Sequence, residues 1–413
     1  MTILQITSLL VVLAGAFGAV NYFYLKLPAS IGILVVALAA SVVVIALDWL
    51  APAIGIADAV RAVVLNIEFS EALLNWMLGL LLFAGALHVR VDLLRAQALP
   101  VAVITLVGVL TSTVIAGYGF AWITGFPLIV AMVFGALISP TDPVAVLGVL
   151  RDANLRQSLE IQIAGESLFN DGVGYVVFLL LVGLAFPLHG EHHAAGWQAV
   201  ATLFLREAAG GAILGGVLGW LTFLLIRRID DYVLEVLISL GLALGGYELA
   251  VALGVSGPIM AVVAGLFIGD VGKKFGMGAI TQEYLDKFWE IVDEMLNAVL
   301  FLLIGVEVFA LALDLDMIRA SVLAIGLSLL ARLVGVALPV LLLQRVRPQE
   351  RDVIPIMTWG GLKGGISVAL ALSLPDSAWK PTILAATYFV VVFSIIVQGL
   401  SVGLLARWLS RPA

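Results

Sequence analysis

The chain has 413 residues, 62% of them hydrophobic and 12% charged, with a formal net charge of −7 and a mean hydropathy of +1.17. A soluble domain carries about a quarter charged residues, so this composition excludes a soluble enzyme or binding module and indicates an integral membrane protein. The bases lie mostly on one side of the apolar runs and several acids lie within them, so a nucleic-acid reading has no support, and the absence of cysteine leaves no disulfide framework and no thiolate metal site.

Apolar runs of about 20 residues recur to the C-terminus, twice the length of the strands of a membrane β-barrel, and predict an all-α bundle. The first, Ser8 to Leu25, has no Lys or Arg before it and Lys26 just after it. It lacks the basic n-region of a signal peptide and reads as a retained helix with its N-terminus outside. Further spans follow at 28–50, 71–89, 99–123, 126–149, 159–186, 198–226, 231–253, 255–269, 287–310, 317–343, 353–374 and 382–408, about thirteen transmembrane helices in all. The ninth is short, and the piece from Ala53 to Ser70, with Asp58, Arg61 and Glu68, reads as an interfacial loop or helix. With the N-terminus outside and the C-terminus cytoplasmic, only Arg61, Arg206, Arg319 and Lys380 of the 21 basic residues lie on the outer side, while the inner loops take most of the rest. The outer loop after the sixth span holds His189, His192 and His193; an exposed polar loop is preferred there to a metal or pH-sensing role.

Two spans are interrupted at corresponding places. The fifth carries ISPTDPVAV (Ile138 to Val146), where two prolines each remove a backbone donor, and the twelfth carries WGGLKGGIS (Trp359 to Ser367), with four glycines around a lysine. Each is fifth when counted from spans one and eight. Spans 1–6 and 8–13 are therefore expected to be repeats inverted in the membrane, with two broken helices crossing at mid-depth, the plan of secondary transporters. The seventh span is the linker, and its Gly211, Gly215 and Gly219 form a face suited to close packing.

The polar residues sit at that depth. Asp142, Glu166, Ser167, Asn170, Asp171, Arg332 and Lys363 all lie roughly 10 to 25 Å into their spans at 1.5 Å per residue. In GESLFNDGVG (Gly165 to Gly174), Glu166, Ser167, Asn170 and Asp171 fall within an arc of about 140° on one helix face. A charge at the bilayer centre costs at least about 2.5 kcal/mol, so these groups need compensation. Asp142 is placed to cap the second half of its broken helix, with Pro143 at the first helical position. Lys363 is placed to neutralise the carbonyl end of the other half-helix, and for both residues the structural role is preferred to direct ion ligation. Arg332 needs a buried carboxylate, for which Glu166 is the candidate. Asp171 is then the carboxylate without a fixed partner. It can hold a proton or a small hard cation, with Ser167 and the Thr141 carbonyl completing an oxygen shell and Asn170 orienting the site. Competition at one carboxylate that crosses only when neutralised is itself an exchange mechanism, one proton against one monovalent cation. Glu248 and Glu307, nearer the outer ends of their spans, read as water-facing or packing residues.

At these residues the sequence resembles the monovalent cation/proton antiporter-1 family, the NhaP-like and sodium/proton exchangers. SPTDPVAV, GESLFND, FLLIGVE (Phe301 to Glu307), the Arg332 segment and GGLKGGISVALALSLP (Gly360 to Pro375) carry the likeness, in order, over nearly the whole chain. The resemblance implies the sodium/proton antiporter fold and a homodimer in a prokaryotic plasma (inner) membrane. It further implies a single transmembrane unit, residues 1–413, in which a core subdomain with motifs at 126–186 and 317–374 is interleaved with a dimerisation subdomain, without a soluble regulatory tail. It places the ion site at Asp171, Glu166, Ser167 and the Thr141 carbonyl, supported by Asn170, with ion pairs Asp142–Lys363 and Glu166–Arg332. The family usually has arginine at position 363; lysine there opens the way to a second titrating group and to a stoichiometry other than one for one.

The expected activity is antiport of Na+ (or Li+) against H+ by alternating access, with the ions as cargo and no cofactor. K+/H+ antiport by the same mechanism is the alternative, since cavity size and ligand number decide selectivity. From other classes, a cation channel would give flux uncoupled from protons. An intramembrane protease would use Ser256 of GVSG, but no histidine lies at depth to activate it, and His88 is at a helix end.

Overall fold

In the computed structural model, residues 3–50, 71–142, 156–186, 197–310, 314–345, 350 and 352–409 are described, and they are helical throughout apart from turns and breaks. In chain order the helices are α1 (Ile3–Val20, running into a π-turn at Asn21–Leu25), α2 (Ala29–Leu50), α3 (Glu71–Leu87), the short α4 (Val91–Ala96), α5 (Ala98–Thr124) and α6 (Leu128–Leu137). Next come α7 (Gln157–Ala185), α8 (Trp197–Ile226), α9 (Tyr232–Ala252), α10 (Gly257–Phe267, continued by a π-turn at Ile268–Gly272), α11 (Ala279–Val306) and α12 (Leu315–Leu343). The last are α13 (Val353–Trp359), α14 (Gly365–Leu372), and α15 (Lys380–Phe393), which a π-turn at Ser394–Gln398 joins to α16 (Gly399–Leu409). The interfacial piece at 53–70, the half-helix after Asp142 with Pro143, and the loop with His189, His192 and His193 lie outside the described residues.

Eight of the described helices are long and apolar enough to cross a membrane: α1 with its π-turn, α2, α5, α7, α8, α9, α12 and the α15–α16 run. α11 is absent from that set for a physical reason. It begins at Ala279, eight residues before the expected start, and six charged residues (Glu283, Asp286, Lys287, Glu290, Asp293 and Glu294) fall within its first sixteen positions, so its early turns read by hydropathy as a loop. Helix ends follow local chemistry. Asp231 accepts the N–H groups of Val233 and Leu234 at the start of α9, and Asp314 accepts that of Met317 at the start of α12, caps each worth about 0.5 to 2 kcal/mol. α5 stops at Gly125, whose φ of 72° is left-handed and whose N–H returns to the Ala121 carbonyl.

Buried side chains gather into separate clusters. The largest joins α5, α6, α7, α12, α13, α14, α15 and α16 with Ile31 and Leu34 of α2 and Phe301 and Ile304 of α11, and in it Phe120 stacks on Phe134 at 3.9 Å between ring centroids. A second joins α3, α9, α10 and the first half of α11, with Leu168 of α7 and Ile226 of α8, around Phe83, Tyr247 and Trp289, and a third ties α1 and α2 to the second half of α11. The glycines of α8 lie directly on α10: a Cβ at Gly211 would come within 2.6 Å of the Ser256 carbonyl oxygen, and one at Gly215 within 2.5 Å of that of Met260. Ser256 itself is buried and caps α10, its hydroxyl accepting the Ile259 N–H, which assigns the GVSG sequence to helix initiation.

Candidate functional site

The interruption after α6 begins where the chain can no longer supply helical donors. Pro140 has no N–H and restricts Ser139 before it, so α6 ends at Leu137, the last helix-type bonds are Ile138 N–H to the Phe134 carbonyl and Ser139 N–H to the Ala136 carbonyl, and the chain runs on extended through Pro140 to Asp142. Three neighbours take up the freed groups. The Asn170 carboxamide oxygen accepts the Thr141 N–H at 3.2 Å, Lys363 Nζ donates to the Ser139 and Pro140 carbonyls at 3.1 and 3.3 Å, and the Asp142 N–H donates to the Leu362 carbonyl at 2.8 Å. That last bond joins the two interruptions directly.

The second interruption, Gly360–Gly364, is held from the last span. Ser394 Oγ accepts the Lys363 N–H at 2.9 Å and donates to Gln398 Oε1 at 2.6 Å, and Gln398 Nε2 donates to the Trp359 carbonyl at 3.0 Å. The Trp359 ring N–H reaches Ser401 Oγ at 2.8 Å. The glycines are needed for space. A Cβ at Gly361 would stand 2.2 Å from Arg332 Nε, and one at Gly364 would stand 2.7 Å from Asp142 Cβ and Oδ2. Sequence reasoning missed Ser394, Gln398 and Ser401, although their interruption of an otherwise apolar last span was a readable signal.

α7 presents its polar face to both breaks. Glu166, Ser167, Asn170 and Asp171 are all buried, Asn170 completely. Arg332 grips Glu166 through two parallel bonds, Nη1 to Oε1 at 2.7 Å and Nη2 to Oε2 at 2.8 Å, and its remaining donors reach the Met357 carbonyl at the end of α13. Asn170 Nδ2 donates to Glu166 Oε1 and to Thr141 Oγ1, both at 2.8 Å, and Thr141 Oγ1 lies 3.1 Å from Ser167 Oγ. Arg332, Glu166, Asn170, Thr141 and Ser167 thus form one continuous network from α12 to the first break.

Asp171 stands apart from that network. It is 5% exposed, and among the described residues its carboxylate has no hydrogen bond or ion pair. Its charged neighbours are Asp142 and Glu166, which repel it, and Lys363, which attracts it. A buried carboxylate without a hydrogen bond or ion pair is costly in its ionised form, even with Lys363 attracting it from nearby. The other carboxylate singled out on α7, Glu166, already has its counter-charge in Arg332, and its Oε1 also accepts from Asn170. Of the two acids read as peripheral, Glu248 is exposed and accepts the Trp76 ring N–H at 2.6 Å, whereas Glu307 is 2% exposed and does not face water.

A family model described as sodium/hydrogen exchanger, transmembrane, matches residues 7–408. The chain is 44% identical to the Na(+)/H(+) antiporter NhaP of Pseudomonas aeruginosa, with 98% of this chain and 96% of the relative covered. It is 37% identical to the Na(+)/H(+) antiporter NhaH of Halobacillus dabanensis, with 84% and 85% covered. The fold is similar to that of the sodium proton antiporter MjNhaP1 from Methanocaldococcus jannaschii at pH 8, with a TM-score of 0.75 at 21% identity over 97% of this chain and 96% of that one.

Proposed function

Because the chain belongs to the sodium/hydrogen exchanger family, we propose that it exchanges sodium for protons across a membrane, with Asp171 as the carboxylate at which the two ions compete. The observation that carries this reading is the buried, unpartnered Asp171 beside a network in which the neighbouring polar groups are already satisfied. Ser167, one helical turn before it, and the carbonyl of Thr141 in the first break supply further oxygens for a desolvated cation, and Glu166 contributes while held by Arg332. Asn170 fixes the break against α7, and Lys363 compensates the carbonyl end of α6. The cycle is balanced. Asp171 releases a proton as it takes up Na+, the neutral site crosses, and the reverse exchange follows on the far side, with no net charge moved.

The moving part in this proposal is the group α5–α7 with α12–α16, which contains both breaks. It shifts as a core subdomain, with motifs at 126–186 and 317–374, against the group α1–α3 and α8–α11, which forms the dimerisation subdomain of a homodimer. The close packing of α5 on α6 and α12, and of α10 on α3 and α8, supports that division. The setting is a cell membrane with the N-terminus outside and the C-terminus cytoplasmic, which puts most basic loop residues inside.

Purified protein in liposomes with a preset pH gradient provides the test. Addition of Na+ dissipates the gradient in the wild type, and Asp171→Asn abolishes the response. Unchanged exchange in Asp171→Asn overturns the site, and dissipation by K+ but not Na+ overturns the cation assignment. Turnover that depends on an imposed voltage overturns the one-for-one balance and makes Lys363 the second proton carrier.

A further inference from the structure

α11 runs along the boundary between the two groups, and one of its faces is chemically polarised. Asp293, Asn297, Leu300, Ile304 and Glu307, spaced 4, 3, 4 and 3 residues apart, fall on a single stripe of the helix. Asp293 marks one end. Its Oδ1 is buried without a hydrogen-bond partner, and it is close enough to Asp142 for the two carboxylates to repel each other. Glu307 marks the other end, about 21 Å away at 1.5 Å per residue. Between them Leu300 packs against Gly365, where a Cβ would come within 2.3 Å of Leu300 Cγ.

Glu307 is the anomaly of that stripe. It is 2% exposed, and among the described residues it has no hydrogen bond and no ion pair. It lines a small cavity, where Leu300, Ile304 and Glu307 of the α11 stripe face Gly365, Val368 and Ala369 of α14. α2, packed on the same turn, offers the Ser41 hydroxyl, but that is already spent on the Gly305 carbonyl. From α15 the titratable group within electrostatic reach is Tyr388, whose hydroxyl is also buried and without a partner. A buried carboxylate of this kind contributes nothing to packing that glutamine or leucine would not do better. Among the described residues the walls offer no ring of oxygens for a metal cation, so the occupant that fits the cavity is a proton.

Leu300 and Ala369 also line a second, larger cavity that reaches Tyr175, one helical turn beyond Asp171 on the same helix. The two voids therefore meet at Leu300 and Ala369, and the larger, walled also by Met77, Leu78 and Leu81 of α3, extends from there to Tyr175 of α7.

We propose that Glu307 is an accessory proton-binding carboxylate, the station through which the proton exchanged at Asp171 enters or leaves on the membrane face opposite Asp293. In the state that opens towards that face, water filling the boundary void connects the two acids. The step is a proton transfer alone, from the Glu307 carboxylic acid to water or to the Asp171 carboxylate, or its reverse. This rests on the exchange reading above, but it makes a sided prediction that the exchange reading does not.

Sodium/proton exchange measured in right-side-out and everted membrane vesicles tests it, with pH varied on one face at a time. Glu307→Gln keeps size and neutrality but cannot carry a proton. It slows exchange at least about tenfold when the proton is exchanged at the Glu307 face, and flattens the pH dependence on that face. The KM for Na+ measured from the Asp293 face is unchanged. Glu307→Asp, which retains the acid, keeps the pH dependence on the Glu307 face. An unaltered pH dependence in Glu307→Gln overturns the proposal, as do equal changes on both faces or loss of the dependence in Glu307→Asp. A wild type without exchange overturns the transport reading instead.

Discussion

At Ser139–Asp142 the chain leaves the helix because proline removes a donor, and the freed groups are taken up by Asn170 and Lys363. At Gly360–Gly364 it leaves because glycines give way to the Arg332 side chain, and the freed groups are taken up by Ser394 and Gln398 of the last span. The first break therefore shares its supporting atoms with the polar face of α7 beside Asp171. The second is held by a separate scaffold on the far side of Lys363. The same topological feature is braced chiefly by α7 in one repeat and chiefly by the last span in the other.

Removing Arg332 has the largest expected effect, since Arg332→Ala leaves Glu166 charged, buried and unpaired. A loss of about 3 to 5 kcal/mol in unfolding free energy measured in detergent is expected. Full stability in that variant would show that the ion pair is dispensable to both breaks. Gly361→Ala comes next. Its methyl group displaces the guanidinium, at a cost of about 1 to 3 kcal/mol, and thermal denaturation of the purified protein reads it directly.

Asn170→Ala strips the Thr141 N–H of its acceptor and costs about 1 to 3 kcal/mol. Because this break is shared with the site, the apparent Na+ affinity falls as well. Ser394→Ala is the smallest change, about 1 kcal/mol, and lowers melting temperature while leaving the apparent Na+ affinity intact. If Ser394→Ala weakened Na+ as much as Asn170→Ala does, the distinction between a break braced by α7 and one braced by the last span would fail.

The sequence carried the span pattern and the two interruptions because both are written in composition, namely apolar runs, prolines and glycine pairs. The meeting of Arg332 with Glu166 was also legible, since an arginine at that depth has few possible counter-charges. Other features were not. The π-turn at Ser394–Gln398 has no composition of its own, and it is this turn that brings Ser394 and Gln398 onto the second break. Glu307 read as peripheral because sequence depth places it near a span's end, whereas α2, α14 and α15 close over it in three dimensions. The first turns of α11 were lost to the opposite error, a charged helix face taken for a loop.

The hydrogen bond from the Asp142 N–H to the Leu362 carbonyl has a consequence for how such a molecule can arise. Each half of the chain opens a helix in the middle of the membrane and leaves there a backbone group that the other half satisfies. A half-length chain with one break would be incomplete in lipid. It could close that break only against a second copy inserted upside down, so antiparallel pairing would have to precede the joining of the two halves into one polypeptide.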